Sequence, residues 1–367
     1  MLAMCSPTSS RMRLITVVRS SWWPARRATG CRGRPQAGCG NGSLTPDDLP
    51  YASNAHKGSA VIRSGSAGNV ILVTGAGGQV GSRLSSLLRA AGHRVLAVDI
   101  HANALENVES CDIRRDDQVA RLFASTSIRT VVHLAAILPT ASRADPIIAT
   151  EVNLTGTLRL LREALTHQVE RFVFGSSMSV YGSSGGSRAL NEHDRAAPDD
   201  PYGAAKRAVE LAGESLAVTT GFGFVALRMA RVVGPGAKST ASGWRSQIFD
   251  TLASPGQPAI AIPFAPTARL SLVHVDDVAR MLTILAQAAE LPQRIYNSPA
   301  EVWETQHLAN LVEQVTKVPV RLGEAQGGPI PDGTRFVHDF GFRLGGLADY
   351  LSSSRGTSPT LRSILEP

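Results

Sequence analysis

The segment from Val70 to Leu88 constrains this chain more than any other. Val70–Val73 is a short apolar, β-branched run, the texture of a strand buried on both faces. The loop Thr74-Gly75-Ala76-Gly77-Gly78-Gln79-Val80-Gly81 follows, and then Val80, Leu84, Leu87 and Leu88 recur at helical spacing until Gly92. Strand, glycine loop and helix in this order form a dinucleotide-binding unit. Gly75 permits the tight turn, Gly78 admits a pyrophosphate close to the backbone, and Gly81 lets helix and strand pack closely. The helix start supplies free N–H groups and a positive dipole end, so Gln79 and Val80 belong to the same phosphate-facing set. Asp99 ends the next strand, where its carboxylate suits the ribose hydroxyls of NAD and repels a 2′-phosphate. His101 and Arg114-Arg115 lie close enough in sequence to keep NADP open.

Downstream, strand and helix patterns alternate. Strands are expected at Arg94–Ile100, Thr130–Ala135, Arg171–Ser176 and Gly223–Met229. Helices are expected at Asp116–Ser125, Thr150–Gln168 and Tyr202–Thr219. Such alternation implies right-handed βαβ units and an α/β, doubly wound parallel sheet of the Rossmann type. After Val233 the order loosens through Gly234–Gly243 and the prolines Pro258, Pro263 and Pro266. Leu272–Val275 reads as a strand, Val278–Ala289 as a helix capped by Asp276 or Asp277, and Gln306–Lys317 as another helix. These pieces look too small for a core of their own. The expected organisation is a basic extension over 1–68, an NAD-binding domain over 69–233, a region over 234–350 that completes the sheet and forms a small substrate lobe, and a tail over 351–367.

Charge narrows the function classes. The 367 residues carry a net +7, but residues 1–68 hold nine Arg or Lys against two acids, which is the whole excess. The remainder is neutral and offers no field for a polyanion, so nucleic acid is not an expected partner. The extension reads as disordered, rich in Ser, Gly, Arg and Pro, with no sustained period. It is expected to have no targeting role, although its Arg- and Ser-rich, acid-poor composition also suits a transit peptide. No apolar run has the length of a membrane span. Of four cysteines only Cys111 lies beyond the extension, and no CxxC spacing occurs. That pattern suits the cytoplasm and predicts no metal site.

The chemistry is expected from three residues. Tyr202 and Lys206 sit four apart at the start of a helix and share one face. A free phenol titrates near pH 10. A neighbouring ammonium, with the charge of oxidised nicotinamide, would favour the phenolate and let Tyr202 act as a base near neutrality. Ser177 follows a strand at the carboxyl end of the sheet, where doubly wound folds place their sites. Its hydroxyl could hold a substrate oxygen against Tyr202.

Taken as a set, these pieces resemble the extended short-chain dehydrogenase/reductases, the NAD-dependent epimerase/dehydratase family, over about Val70 to Leu351. The matching segments are Thr74–Ser82, Asp99, Asp112-Ile113, His133-Leu134-Ala135-Ala136, Asn153, Phe174–Gly182, Pro201–Lys206, Leu227-Arg228 and Val273–Val278. The resemblance implies cofactor contacts at Asp112, Ile113, Leu134, Ala135, Ala136 and Asn153 besides those above. It also implies Ser177, rather than Ser176 or Ser179, as the catalytic serine, and a homodimer built from the helices Thr150–Gln168 and Tyr202–Thr219. Departures narrow the reaction. Where sugar-nucleotide dehydratases carry Thr-Asp-Glu, this chain has Ser177-Met178-Ser179 and lacks the acid–base pair that expels water. Where epimerases usually carry Asn, Arg231 stands, and Ile262–Arg269 lacks their Gly-Asp-Gly before an arginine. The stretch Val232–Gly243 through Arg269 resembles D-erythronate dehydrogenase-type members, which oxidise small sugar acids. The expected substrate-facing set is therefore Ser177, Ser179, Arg231 and Arg269, with Arg269 as a bidentate carboxylate clamp. The leading expectation is an NAD-dependent dehydrogenase of a small sugar or sugar acid. A sugar epimerase and a non-catalytic NAD(P) sensor are the alternatives.

Overall fold

The computed structural model describes residues 69–183, 188–236, 243–253 and 259–353. The extension 1–68, most of the tail 351–367 and part of the Gly- and Ser-rich stretch after Val233 lie outside the described residues.

Chain order begins β1 (Val70–Thr74), α1 (Gln79–Ala90), β2 (Arg94–Asp99), β3 (Val108–Ser110), α2 (Asp116–Ser125), β4 (Ile128–His133), α3 (Pro139–Ala144), α4 (Pro146–Thr150) and α5 (Thr157–Thr166). It continues β5 (Arg171–Ser177), β6 (Ala189–Leu190), α6 (Pro201–Thr220), β7 (Gly223–Met229), β8 (Arg231–Val233), α7 (Trp244–Ala253), β9 (Ile260–Phe264), β10 (Arg269–His274) and α8 (Val275–Gln287). The last elements are β11 (Ile295–Asn297), β12 (Glu301–Glu304), α9 (Thr305–Thr316), β13 (Val320–Ala325), β14 (Ile330–Pro331), α10 (Thr334–Phe340) and α11 (Leu347–Ser353).

Seven strands form one sheet in the order β11-β7-β5-β4-β1-β2-β3. Every pairing in it is parallel. The order reverses between β1 and β4, the switch point at which doubly wound sheets open a crevice. Two apolar clusters cover the two faces. One joins α1 and α8 to the sheet through Leu84, Leu88, Val278 and Leu282. The other joins α2, α5 and α6 through Val119, Leu160, Leu161 and Val209. Strand residues such as Leu72, Val131, Phe172 and Phe174 have no exposed surface, which is why these strands read as unbroken apolar runs.

Three expectations change. The helix placed at Thr150–Gln168 is helical throughout but starts earlier, at Pro146, and widens into a π turn, Glu151–Gly156, between α4 and α5. Asn153 there turns both polar ends onto Ile137, while Thr157 Oγ1 donates back to the Asn153 carbonyl at 2.9 Å. Local demands of this kind favour an inserted residue in the helical ladder. The cap of α8 is His274, whose Nδ1 accepts from the Asp276 N–H at 3.2 Å. Asp276 and Asp277 instead occupy the first turn, where their charges suit the helix dipole. Thirdly, the C-terminal pieces do build a core. Trp244, Ile248, Phe249, Ile260, Leu270, Leu272, Leu308 and Val312 cluster between the three-stranded sheet β12-β10-β8 and the pair β13-β9. β8 thus belongs to this lobe, whereas β11 returns to complete the main sheet.

Candidate active site

A cavity of about 840 Å³ opens at the carboxyl ends of β1, β2, β4 and β5 and runs beneath the lobe. At its β1 end the glycine loop is tightly set. Gly75 adopts φ +70°, and a Cβ there would meet the Ala135 backbone nitrogen at 2.6 Å. A Cβ on Gly81 would stand 2.1 Å from the Gly75 carbonyl oxygen. No side chain caps α1, and its first turn holds no acid, so its terminal N–H groups remain available to an anion. The Gln79 side chain donates to the Gly234 carbonyl at 2.6 Å and ties the loop to the lobe.

Asp99 lines the cavity at the end of β2 and accepts from the Gly77 N–H at 3.0 Å. Asp112 and Ile113 line it nearby. Arg114 grips Asp112 with two nitrogens, 2.9 and 2.7 Å, and this hydrogen bonding holds the Asp112 carboxyl below the usual carboxylate range. The Arg114 cation is therefore already matched by a carboxylate. Leu134, Ala135 and Ala136 form the wall after β4. Asn153 does not reach the cavity. Its Oδ1 accepts from Ile137 N–H at 2.8 Å and its Nδ2 donates to Ile137 O at 2.9 Å. It holds the cavity wall at Ile137 from behind.

Ser177, Ser179, Tyr202 and Lys206 converge on the same cavity. Asp200 caps α6, accepting from Gly203 N–H at 2.7 Å, and so sets Tyr202 in the first turn. The close packing of Gly203 on the Ser179 carbonyl brings the helix start against the end of β5. Ser177 Oγ accepts from the Ser179 N–H at 3.1 Å and lies 3.2 Å from Ser179 Oγ. Lys206 Nζ donates to the Gly175 carbonyl at 2.7 Å and sits 5.5 Å from the Tyr202 ring centre. Burial pushes the Tyr202 phenol up to about 12, opposed by its interaction with the Ser177 side chain and by the Arg245 cation. Burial also pulls Lys206 down to about 7, opposed by Glu210. The expected lowering of the phenol by Lys206 is thus not a property of these side chains alone, because desolvation disfavours both charges.

Behind the site, Glu210 is fully buried. It accepts from Ser176 Oγ at 2.6 Å and from Arg228 at 2.9 and 2.7 Å. One carboxylate therefore fastens α6 to β5 and β7.

On the lobe side, Arg231 lines the cavity. Arg269 does not. It begins β10 opposite Glu304 with an exposed side chain, away from the residues that line the cavity. Arg245, in the first turn of α7, and Ser271, on β10, line the cavity instead. No motif marks either of them. Both are brought in by the pairing of β8 with β10 and by the packing of α7, which couple residues distant in sequence. Among the described residues no cluster of His, Cys, Asp or Glu could hold a metal ion, and no helix is long and apolar enough to cross a membrane.

A switch-point cavity joining a glycine loop to a Ser, Tyr and Lys set defines a doubly wound α/β scaffold of the dinucleotide-binding type. Comparison narrows it. The family model for the NAD-dependent epimerase/dehydratase family matches residues 71–298, and the chain belongs to that family. A UDP-glucose 4-epimerase of Halalkalibacterium halodurans is 36% identical over 171 residues, covering 45% of this chain and 51% of the relative. One from Rhizobium meliloti is 32% identical over 173 residues, covering 45% and 52%. The chain thus spans about half the length of these curated relatives. Among solved structures, L-threonine dehydrogenase of Phytophthora infestans superposes with a TM-score of 0.71 at 23% identity, over 78% of this chain and 97% of that one. MoeE5 in complex with UDP-glucuronic acid and NAD superposes with 0.67 at 28% identity, over 77% and 96%.

Proposed function

We propose that this chain transfers hydride between NAD and a CH–OH or carbonyl carbon of a small sugar or sugar acid. The observation that carries the proposal is the convergence of Ser177, Tyr202 and Lys206 on the cavity that also holds the glycine loop. The residues suit the cofactor. The uncapped, acid-free start of α1 and the glycine cradle fit a pyrophosphate, and Asp99 fits ribose hydroxyls. NAD, when bound, supplies the hydride acceptor and a positively charged ring. Ser177 Oγ holds the substrate oxygen, and Tyr202 Oη takes its proton or returns it in the reverse direction. Lys206, anchored on the Gly175 carbonyl, sets the field in which the phenol titrates. With the phenol at about 12 in the protein alone, the added positive charge has to favour the phenolate.

The likeness to UDP-glucose 4-epimerases supports a second reading, in which hydride returns to the other face of the ketone and no net NADH forms. The discriminating experiment incubates the chain with NAD and a panel of aldonic acids, uronic acids and nucleotide sugars, following NADH absorbance and sugar products together. NADH accumulation supports the dehydrogenase; an interconverted sugar without NADH supports the epimerase; neither product across the panel sinks the hydride-transfer reading. A homodimer is proposed through α4, α5 and α6, where Ile147, Leu158, Leu211 and Val218 are exposed apolar residues. A monomeric mass by light scattering would oppose it.

A further inference from the structure

The starts of α1, α7 and α8 meet at Gly234, the buried residue that follows β8. Its backbone adopts φ +133°, a conformation that suits glycine. Its N–H donates to the carbonyl of Arg245, in the first turn of α7, at 3.1 Å. A Cβ on it would meet Val275 Cγ1 at 2.7 Å and His274 Nε2 at 3.1 Å, at the start of α8. Its carbonyl accepts from Gln79 Nε2 at 2.6 Å, and the same nitrogen donates to the Pro235 carbonyl at 3.2 Å. Both protons of the Gln79 amide are thus spent on this junction.

Gln79 is the first residue of α1, so it faces two ways. Its backbone belongs to the uncapped helix start that suits a pyrophosphate. Its side chain holds the junction from which β8 and α7 present Arg231 and Arg245 to the cavity wall. A turn further along α1, Arg83 pairs with Asp276 in the first turn of α8, with Nη2 3.0 Å from Oδ2, but Arg83 does not line the cavity. Fixing the Gln79 side chain restricts the residue whose N–H the phosphates must meet. The ordering cost of that residue is common to both events and is met once, so each event favours the other.

We infer that Gln79 is a positioning residue that couples cofactor to lobe: a pyrophosphate seated at the start of α1 tightens the Gly234 junction, and with it the wall that β8 and α7 present to a substrate. The inference goes beyond hydride transfer and rests only on the proposed seating of NAD at the glycine loop. Such coupling is reciprocal. The factor by which NAD slows opening of the junction equals the factor by which the closed junction tightens NAD.

The test follows hydrogen exchange of the Gly234 amide in the full chain, resolved by residue, with Val225 in β7 as the reference. Saturating NAD should slow Gly234 by at least about fivefold beyond any change at Val225. ADP-ribose, which carries the pyrophosphate but no nicotinamide, should do the same, and adenosine should not. Gln79→Met keeps the side-chain length, the helix propensity and the backbone N–H but has no side-chain donor. In that variant the slowing should fall below about twofold, and calorimetry should show NAD weakened by about the factor lost. Arg83→Met breaks the neighbouring tie between α1 and α8. It should lower the melting temperature and leave the slowing by NAD within about twofold of the parent. Equal slowing in the parent and in Gln79→Met would overturn the coupling. Slowing by NAD but not by ADP-ribose would also overturn it, by tracing the effect to the nicotinamide end. Loss of the slowing in Arg83→Met would overturn the assignment to Gln79, leaving it one structural tie among several. NAD binding to the parent without slowing at Gly234 would overturn the coupling and leave the cofactor seat standing, whereas no NAD binding would remove both. Slowing that depends on Gln79, with no turnover of any substrate, would leave the coupling standing and remove hydride transfer.

Discussion

Replacing Glu210 by leucine removes the only carboxylate within ion-pair distance of Arg228 among the described residues, and Arg228 is just 2% exposed. The guanidinium then keeps its hydrogen bond to Tyr181 Oη, 2.7 Å, but has no counter-charge. Ser176 Oγ also loses its acceptor. Breaking a buried ion pair from one side costs about 3–5 kcal/mol. For a folded unit of this size that is roughly a 6–20 °C drop in Tm. The cost should be non-additive. In Glu210→Leu with Arg228→Met both charges go, so the double variant should recover at least about 2 kcal/mol relative to the sum of the singles. Urea unfolding of the four proteins measures the cycle. A single-variant loss below about 1 kcal/mol, or strict additivity, would refute the reasoning. A second consequence reaches the site. Glu210 raises Lys206 against the pull of burial, so its removal should move the Lys206 titration below about 7. Any pH–rate limb set by that ammonium should then shift to lower pH, which loss of stability alone would not produce.

Tyr202→Phe deletes the proposed proton carrier and should lower kcat by at least about a hundredfold, within the usual reach of acid–base catalysis, while NAD still binds. Retention of kcat within about tenfold, a barrier change of only ~1.4 kcal/mol, would remove Tyr202 from that role. Asp99→Ala should weaken NAD about tenfold and narrow its preference over NADP, because the carboxylate goes and the Gly77 N–H loses its acceptor; an unchanged NAD/NADP ratio of dissociation constants would exclude Asp99 as the discriminator. Burial holds His133 near 3, against 6.5 in the unfolded chain. Between those values the unfolded chain binds the extra proton, so stability is lost as pH falls, by about 1.4 kcal/mol per unit. At pH 5 that is about 2 kcal/mol, and His133→Gln should lose that much less than the parent between pH 7 and 5 in urea titrations. Asp277, raised to about 6 by burial, works in the opposite direction but is common to both proteins. Equal losses in parent and variant would disprove the assignment to His133.

What could be read from sequence follows the range of the interactions involved. The glycine loop is a local solution. Its turn, its close approach and its helix start all lie within Thr74–Gly81, so residue types alone display it. Tyr202 and Lys206 are likewise four apart on one helix, and Ser177 ends a strand whose apolar run announces it. The π turn was hidden because its causes are remote: Asn153 answers to Ile137, and Gly156 packs against Ile113. Periodicity sees only the amphipathic stripe, which continues across the turn. His274 as the cap of α8 was hidden by chemistry, since an imidazole nitrogen took the place usually given to a carboxylate. The lobe was least legible. Its sheet joins β8, β10 and β12 across intervening elements, and this pairing decides which arginine faces the cavity. Arg269 and Ser271 are two residues apart on one strand and share a face by alternation. Ser271 is nevertheless buried against the cavity, whereas Arg269 at the strand start is exposed beside Glu304. The lobe residues that line the cavity are thus set by lobe packing, while Ser177, Tyr202 and Lys206 are set by local motif. A fold of this type can therefore keep its chemistry legible and conceal its specificity, because the two depend on contacts of different sequence separation.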